Sequence, residues 1–277
     1  MKVLIENKDT KLFAIGQLKP GREAVILLHG GPGVPDGLTF LFDFLSRHYQ
    51  VITFHQRGTA KSPTTGHDFS MDSYVSDLNR IAAYFKLDKF HLFGHSWGGL
   101  YAQIYAQKHP EKLSSLFLCS PASGTGRQWK DTMLEIARYN KAKCSSFEWI
   151  TMNLNSALGL LGRDTGYKNF FWQALENFSR GFKESHPEKF SVECVKASAI
   201  NQTVKSILAA PLLPKEMHPG CKTTITYGDQ DIFGDSKNYV LQRYPSADVR
   251  FIPGSGHIPW SHNQKGFVKV LKEHFQV

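Results

Sequence analysis

Cysteine is scarce in this sequence, with four among 277 residues, and no long uninterrupted run of apolar residues occurs. No two cysteines form a C-x-x-C pair, so neither a zinc site nor a redox motif is predicted. Charged residues interrupt the first sixteen residues, which therefore resemble neither a secretory signal nor a membrane span. We expect reduced cysteines, a cytoplasmic protein and no membrane partner.

Acidic residues are outnumbered: 24 face 33 basic ones, which gives a formal net charge of +9. The basic residues are scattered singly among apolar positions, and they form no stripe interleaved with aromatic residues. A solvated surface explains such a distribution better than a nucleic-acid interface does. Nucleic acid is therefore not an expected partner.

Strand-like and helix-like patterns alternate along most of the chain. Short apolar runs rich in β-branched and aromatic residues lie at Ala24–Leu28, Gln50–Phe54, Phe90–Phe93, Leu116–Cys119, Thr223–Tyr227 and Val249–Ile252. Amphipathic stretches lie at Leu38–Arg47, Ser73–Lys86, Leu100–Lys108, Lys237–Arg243 and Phe267–Phe275. This alternation predicts an α/β fold with a mostly parallel central sheet and helices on both faces.

The middle of the chain has a different pattern. Residues 122–218 are mostly helical in period, contain many aromatic residues and show no convincing strand. We predict a helical cap, or lid, inserted into a core formed by residues 1–121 and 219–277. A separate helical domain with its own function is the alternative. The lid is favoured because no repeat or low-complexity linker isolates the segment.

A candidate nucleophile lies in Gly94-His95-Ser96-Trp97-Gly98, which has the form G-x-S-x-G and falls between a predicted strand and a predicted helix. In that context the serine occupies a tight, strained turn, and the glycines remove side chains that would collide there. The hydroxyl of Ser96 then projects at the carboxyl end of the sheet, near free amides of the following helix.

A serine hydroxyl needs a general base, and the sequence offers twelve histidines. His257 follows the last predicted strand within Gly254-Ser255-Gly256-His257, a small flexible loop that can aim an imidazole at the serine. His262 is the second choice, because it lacks the glycine-rich setting.

The acid that orients the histidine is expected in Gly228-Asp229-Gln230-Asp231, which follows the penultimate strand. Asp229 and Asp231 compete, although Asp229 fits a surface loop better, and Asp235 is a distant third. The order serine, aspartate, histidine is the one expected of α/β-hydrolases.

The oxyanion-binding amides are expected from the loop His29-Gly30-Gly31-Pro32-Gly33, which follows the first predicted parallel strand. The amide of Gly31 and that of Trp97 are the candidates, and a cis bond before Pro32 suits so tight a loop. The loop lacks both phosphate-binding glycine patterns, and no metal or cofactor is implied.

Five motifs in order resemble the proline iminopeptidase branch of the α/β-hydrolases: HGGPG at 29–33, HQRGTAKS at 55–62, GHSWGG at 94–99, GDQD at 228–231 and GSGH at 254–257. The resemblance implies an α/β-hydrolase fold, a metal-free Ser96–His257–Asp231 triad, oxyanion amides at Gly31 and Trp97, and removal of N-terminal residues from peptides. Family members usually have aspartate where this chain has His55.

Aminopeptidases of this branch bind the substrate's ammonium group with carboxylates of the cap. Trp172 and Glu176 match part of the family's cap pattern and, four residues apart, would share one helix face. The resemblance therefore implies substrate binding by this pair. A solvated Glu176 on an amphipathic helix is the alternative.

The sequence thus predicts a serine hydrolase that works through an acyl-enzyme and acts on a short peptide or another small molecule. An aminopeptidase of the proline iminopeptidase type is the first hypothesis. A hydrolase of small carboxylic esters or lactones is the second, and a non-catalytic receptor on the same fold is the third. The sequence does not predict an oligomeric state.

Overall fold

The computed structural model describes residues 1–183 and 188–277. Eight strands form one sheet in the order β1-β2-β4-β3-β5-β6-β7-β8. The strands are β1 Lys2–Asn7, β2 Thr10–Gln17, β3 Ala24–Leu28, β4 Gln50–Phe54, β5 Phe90–His95, β6 Leu113–Cys119, β7 Lys222–Gly228 and β8 Asp248–Ile252. Strands β3 to β8 pair in parallel, which confirms the mostly parallel sheet.

Strands β1 and β2 were not predicted from the sequence. They pair antiparallel at one edge of the sheet, and β2 joins β4. Only alternate residues of β2 are buried, so the strand carries no continuous apolar run. An edge hairpin with one solvent-exposed face gives a weaker sequence pattern than a strand that is buried on both faces.

Ten α-helices are seen in the described residues. They are α1 Thr39–Leu45, α2 Met71–Tyr84, α3 Trp97–Lys108, α4 Arg127–Lys143, α5 Ser146–Leu160, α6 Asp164–Ser179, α7 Ala197–Ala209, α8 Lys237–Arg243, α9 Pro259–His262 and α10 Gln264–Phe275. The five predicted amphipathic helices are confirmed, with ends that differ by up to three residues.

The core lies in two layers, one on each face of the sheet. Strand β3 shows how the sequence builds them, because its side chains alternate between the layers. Ile26 and Leu28 pack with residues of α2 and α3, whereas Val25 and Leu27 pack with residues of α1 and α10. A strand covered on both faces must be apolar throughout, and all five residues of β3 are buried.

Between β6 and β7 the chain forms helices α4, α5, α6 and α7. Helices α5 and α6 pack closely. A Cβ at Gly159 would lie 2.5 Å from the Tyr167 ring, so a larger residue at this position would prevent the close approach of the two helices.

Within the described residues, no helix is long and apolar enough to cross a bilayer.

Candidate active site

Ser96 lies at the turn between β5 and α3. Its backbone dihedrals are φ 55° and ψ −118°, outside the regions that non-glycine residues favour. A Cβ at Gly94 would lie 2.3 Å from the carbonyl oxygen of Gly98, and one at Gly98 would lie 2.3 Å from that of Leu28. The two glycines are therefore required by close backbone approach, and the predicted strand–turn–helix context is observed.

The side chains of Ser96, His257 and Asp231 form a continuous hydrogen-bonded row. The Oγ of Ser96 lies 3.0 Å from the Nε2 of His257, and the Nδ1 of His257 lies 3.0 Å from the Oδ1 of Asp231. A carboxylate can only accept, so Nδ1 carries the proton and Nε2 is left to accept from the serine hydroxyl. The three residues, distant in sequence, are thus within hydrogen-bond reach in the order that proton removal from Ser96 needs.

The carboxylate of Asp231 is fully buried and well supplied with donors. Ser120 donates its hydroxyl to Oδ2 at 2.5 Å, and the Phe233 amide donates to Oδ1 at 3.3 Å. Burial alone would raise the pKa of Asp231, but the nearby His257 and the hydrogen bonds outweigh it and hold the pKa below its usual value. The group is therefore ionised at neutral pH.

The other two aspartates of this region lie elsewhere. Asp229 accepts hydrogen bonds from the amides of Gly254 and Ser255 at 3.0 and 3.1 Å, so it supports the loop that carries His257. Asp235 is exposed. His262, the second candidate base, accepts the Gly256 amide at 3.0 Å through its Nδ1 and does not take the place of His257.

His95, next to the serine, holds the histidine loop from below. Its Nε2 lies 2.8 Å from the carbonyl oxygen of His257, and its ring packs edge-on against Trp260. Burial and the neighbouring His257 lower the pKa of His95 to about 3, so the ring is neutral and donates through Nε2. Sequence reasoning missed this role, which the spacing of the motif alone does not reveal.

The loop after β3 lies against the serine. A Cβ at Gly30 would lie 3.4 Å from that of Ser96, and the Gly31–Pro32 bond is cis. Among residues 1–183 and 188–277, the Gly31 amide finds no backbone acceptor. The Trp97 amide opens α3, and first-turn amides have no acceptor within their own helix. Both amides are therefore free to bind a ligand oxygen.

Gln56 ties these two candidate donors together. Its Nε2 donates to the His29 carbonyl at 2.9 Å, and its Oε1 accepts the Trp97 indole N–H at 2.7 Å. The backbone N–H of Gln56 also donates to His29 Nε2 at 3.2 Å. The buried Gln56 thus fixes the separation of the glycine loop and the start of α3, although its motif gave no hint of this function.

His55, which stands where the related branch has aspartate, forms a different contact. Its Nδ1 accepts the Lys61 amide at 3.2 Å, so the proton on Nε2 faces Asp36 at 3.3 Å. Asp36 in turn accepts the hydroxyl of Ser191, which links this loop to the segment after α6. The hydrogen bond from His55 lowers the pKa of Asp36 to about 2.

Aromatic residues cover the row formed by Ser96, His257 and Asp231. The rings of Phe178, in α6, and Phe233 lie 5.4 and 5.0 Å from the His257 ring, centroid to centroid. Beside them is an open cavity of about 960 Å³ between α5, α6 and the segment 188–191. Ile258, the neighbour of His257, lines one wall, so the cavity reaches the histidine loop.

Trp172 and Glu176 both line this cavity, as their shared helix face predicts. The Glu176 carboxylate is already paired with Arg180 at 2.8 Å, and its side chain is 62% exposed. Arg180 also binds Glu148 at 2.5 Å. The Trp172 indole N–H faces Glu193 at 3.3 Å. Glu176 is therefore present in the cavity wall, but as half of an ion pair.

A second carboxylate of the cavity was not found from the sequence. Glu188 accepts only neutral donors within the described residues: the amides of Thr39 and Phe40, and the indole N–H of Trp260 at 3.0 Å. None of these donors carries a charge, so within the described residues no cation pairs with Glu188 at the cavity wall. Within the described residues, no group of three or more histidine, cysteine, aspartate or glutamate side chains could hold a metal ion.

Residues 23–260 match the family model for the alpha/beta hydrolase fold. The chain belongs to the α/β-hydrolase family. A proline iminopeptidase from Levilactobacillus brevis is 35% identical over 120 residues, which cover 42% of this chain and 40% of that protein. The chain matches about two fifths of the length of such relatives. The predicted resemblance to the proline iminopeptidase branch is thereby confirmed.

Two solved structures are similar over the full length of this α/β-hydrolase. An esterase from Exiguobacterium antarcticum gives a TM-score of 0.70 at 19% identity, and each chain is covered completely. A proline iminopeptidase from Mycobacterium smegmatis gives 0.64 at 17% identity, covering 100% of this chain and 98% of that one. At such identities the similarity establishes the fold, which two different activities share.

Proposed function

We propose that this α/β-hydrolase is a serine hydrolase in which Ser96 is the nucleophile, His257 the general base and Asp231 the acid that orients the histidine. The observation that carries the proposal is the pair of 3.0 Å contacts joining the three side chains. Apolar side chains at these three positions would stabilise the fold better, because each buried polar group costs free energy. Stability alone therefore does not explain the row. The non-catalytic receptor is accordingly the weakest hypothesis.

The geometry supports acyl transfer to water. As the Ser96 oxygen attacks a carbonyl carbon, its proton passes to Nε2 of His257, and Asp231 stabilises the imidazolium. The leaving group then takes that proton, and water releases the acyl group from Ser96 by the same route. We assign the amides of Gly31 and Trp97 to the oxyanion, where each donor contributes about 3 kcal/mol of transition-state stabilisation.

For the substrate we favour a short peptide with a free N-terminus, from which the enzyme releases the first residue. Sequence similarity to proline iminopeptidases supports this class. A buried ammonium group needs a carboxylate, and two line the cavity wall: Glu188, which pairs with no cation in the described residues, and Glu176. Helices α4–α7 would act as the cap that encloses the peptide's first side chain.

Hydrolysis of small carboxylic esters or lactones is the second candidate. The ion pair between Glu176 and Arg180 favours it, because a carboxylate that already binds a guanidinium attracts an ammonium group weakly. An ester needs no such partner, and the aromatic wall beside His257 suits a small apolar acyl group.

A screen of aminoacyl-arylamides against short-chain esters separates the two classes. We expect arylamide cleavage by the wild type, none by Ser96→Ala, and a large rise in KM in Glu188→Gln. Glu193→Gln is the matched control, since that exposed carboxylate pairs with Lys168 and is not among the residues that line the cavity. Ester cleavage without arylamide cleavage would select the second candidate. Activity that persists in Ser96→Ala would refute the triad.

A further inference from the structure

Helix α5 carries a row of large apolar side chains on its outer face. Phe147, Ile150, Leu154, Leu158 and Leu161 recur at intervals of three and four residues, which places them on one side of the helix. Each is substantially exposed, up to 78% for Phe147 and 80% for Leu161. The opposite side of α5 is buried at Met152 and Gly159. We call the outward row the α5 face.

The α5 face contains no charged side chain. Glu148 is the only charged residue of the helix, and Arg180 pairs with it. A monomeric protein rarely leaves so long an apolar surface in water unless something covers it. The burial pattern therefore indicates a binding surface, and the charges around it indicate what it binds.

Basic side chains flank the two ends of α5. Lys141 lies in the last turn of α4, just before α5, and Arg163 lies just after the end of α5. Both side chains are exposed. Lys205 is exposed on α7, one turn after Asn201, whose side chain donates to the carbonyls of Gly159 and Leu160 at the end of α5. Across residues 1–183 and 188–277, none of the three forms an ion pair with a carboxylate.

The carboxylates at the two ends of α5, by contrast, are paired. Glu148 forms an ion pair with Arg180, and Asp164, which follows Arg163, forms one with Lys196. An uncharged apolar face flanked by unpaired basic side chains is complementary to an anionic phospholipid surface, where acyl chains receive the apolar side chains and headgroups the cations. A second copy of this chain fits less well, because its own basic side chains would face those of the first.

We propose that the α5 face docks this hydrolase on the surface of membranes that contain anionic phospholipid. No described helix spans a bilayer, so the attachment is peripheral, with α5 lying in the plane of the interface. This differs from the expectation that no membrane partner exists. The sequence shows the apolar row but not that it faces outward; a row with this period usually faces a core. The proposal is independent of the hydrolytic function.

The test is flotation of the full chain with vesicles of phosphatidylcholine, with and without phosphatidylglycerol. We expect binding only when phosphatidylglycerol is present, and weaker binding as salt rises. The pair Ile150→Ser and Leu154→Ser should weaken binding at least about tenfold, since each side chain loses its apolar burial. Leu18→Ser, an exposed leucine after β2, is the control.

Charge variants give a second measurement. The double variant Arg163→Gln with Lys205→Gln should weaken binding about fivefold for each charge removed. The control is Arg22→Gln with Lys272→Gln, two exposed positions outside helices α4–α7, which should leave binding unchanged. Thermal melts verify that each variant is folded. Absence of binding to phosphatidylglycerol vesicles would overturn the proposal. The α5 face would instead be a dimer interface if light scattering shows a wild-type dimer, if Ile150→Ser with Leu154→Ser dissociates it, and if the protein does not bind vesicles. That result would also overturn the proposal.

Discussion

The ring of His95 donates a hydrogen bond to the backbone carbonyl of His257, across 2.8 Å. The residue that precedes the proposed nucleophile therefore fixes the loop of the proposed base. Since both histidine rings are buried and their centroids lie 4.9 Å apart, a shift in one displaces the other. We regard His95 as a positioning residue.

Replacement of His95 tests this relationship. In His95→Leu the carbonyl of His257 loses its donor, and we expect kcat to fall by about a hundredfold, the cost of a displacement near 1 Å. KM should change little, because the cavity is untouched. His95→Gln, which can still donate, should recover part of kcat. Equal loss in both folded variants would contradict a positioning role.

The two competing aspartates can be separated by matched substitutions. Asp231→Asn removes the charge that holds the His257 tautomer, and kcat should fall by about 10⁴-fold. Asp229→Asn weakens only the hydrogen bonds to Gly254 and Ser255, so we expect a small activity loss and about 1 kcal/mol less stability. Steady-state kinetics with denaturant titrations would measure both, and a larger kinetic loss in Asp229→Asn would contradict the assignment.

The turn at Ser96 makes a prediction about stability. In Gly98→Ala the new methyl group would lie 2.3 Å from the Leu28 carbonyl oxygen and 2.6 Å from that of His29. Backbone cannot yield as a flexible side chain can, so the free energy of unfolding should drop by about 3 kcal/mol. In the control, Gly16→Ala, the methyl meets the end of the Phe85 ring at 3.2 Å. Similar urea midpoints for the two variants would contradict the packing.

Buried histidines predict acid sensitivity. His274 hydrogen-bonds the hydroxyls of Thr224 and Ser115, and burial lowers its pKa to about 3. The unfolded chain, with a histidine pKa near 6.5, binds the extra proton. Stability should therefore fall as pH drops from about 6.5 towards about 3, by about 1.4 kcal/mol per pH unit for this group.

Denaturation across that pH range measures the effect. His274→Gln should flatten the slope by about one proton, whereas His67→Gln, at an exposed position, should leave it unchanged. The burial of His29, which lowers its pKa to about 4, and that of His95 act in the same direction, so a shallower slope remains. Identical slopes for the wild type and His274→Gln would contradict the prediction.

The parallel core could be predicted because its strands are apolar on both faces. Strands β3 and β4 have the predicted bounds, whereas the edge hairpin β1–β2 was missed, since one wet face breaks its apolar run. The same logic explains α5. Its apolar row has the period of a core-facing helix, and only tertiary packing decides which side of a helix meets solvent.

The candidate triad was accessible because each residue follows a predicted strand, and the ends of parallel strands meet at one edge. The supporting groups were not accessible. Ser120, Gln56 and Glu188 act through contacts made over long sequence separations, and spacing does not specify which side chains converge. A carboxylate that accepts only neutral donors can be recognised only from coordinates.

Covalent labelling tests the central claim most directly. A fluorophosphonate should react with the wild-type protein, peptide mass spectrometry should place the adduct on Ser96, and Ser96→Ala should not be labelled. His257→Ala should react far more slowly, because the hydroxyl then has no base. A folded wild-type protein that stays unlabelled, or that carries the adduct on a different residue, would contradict the account.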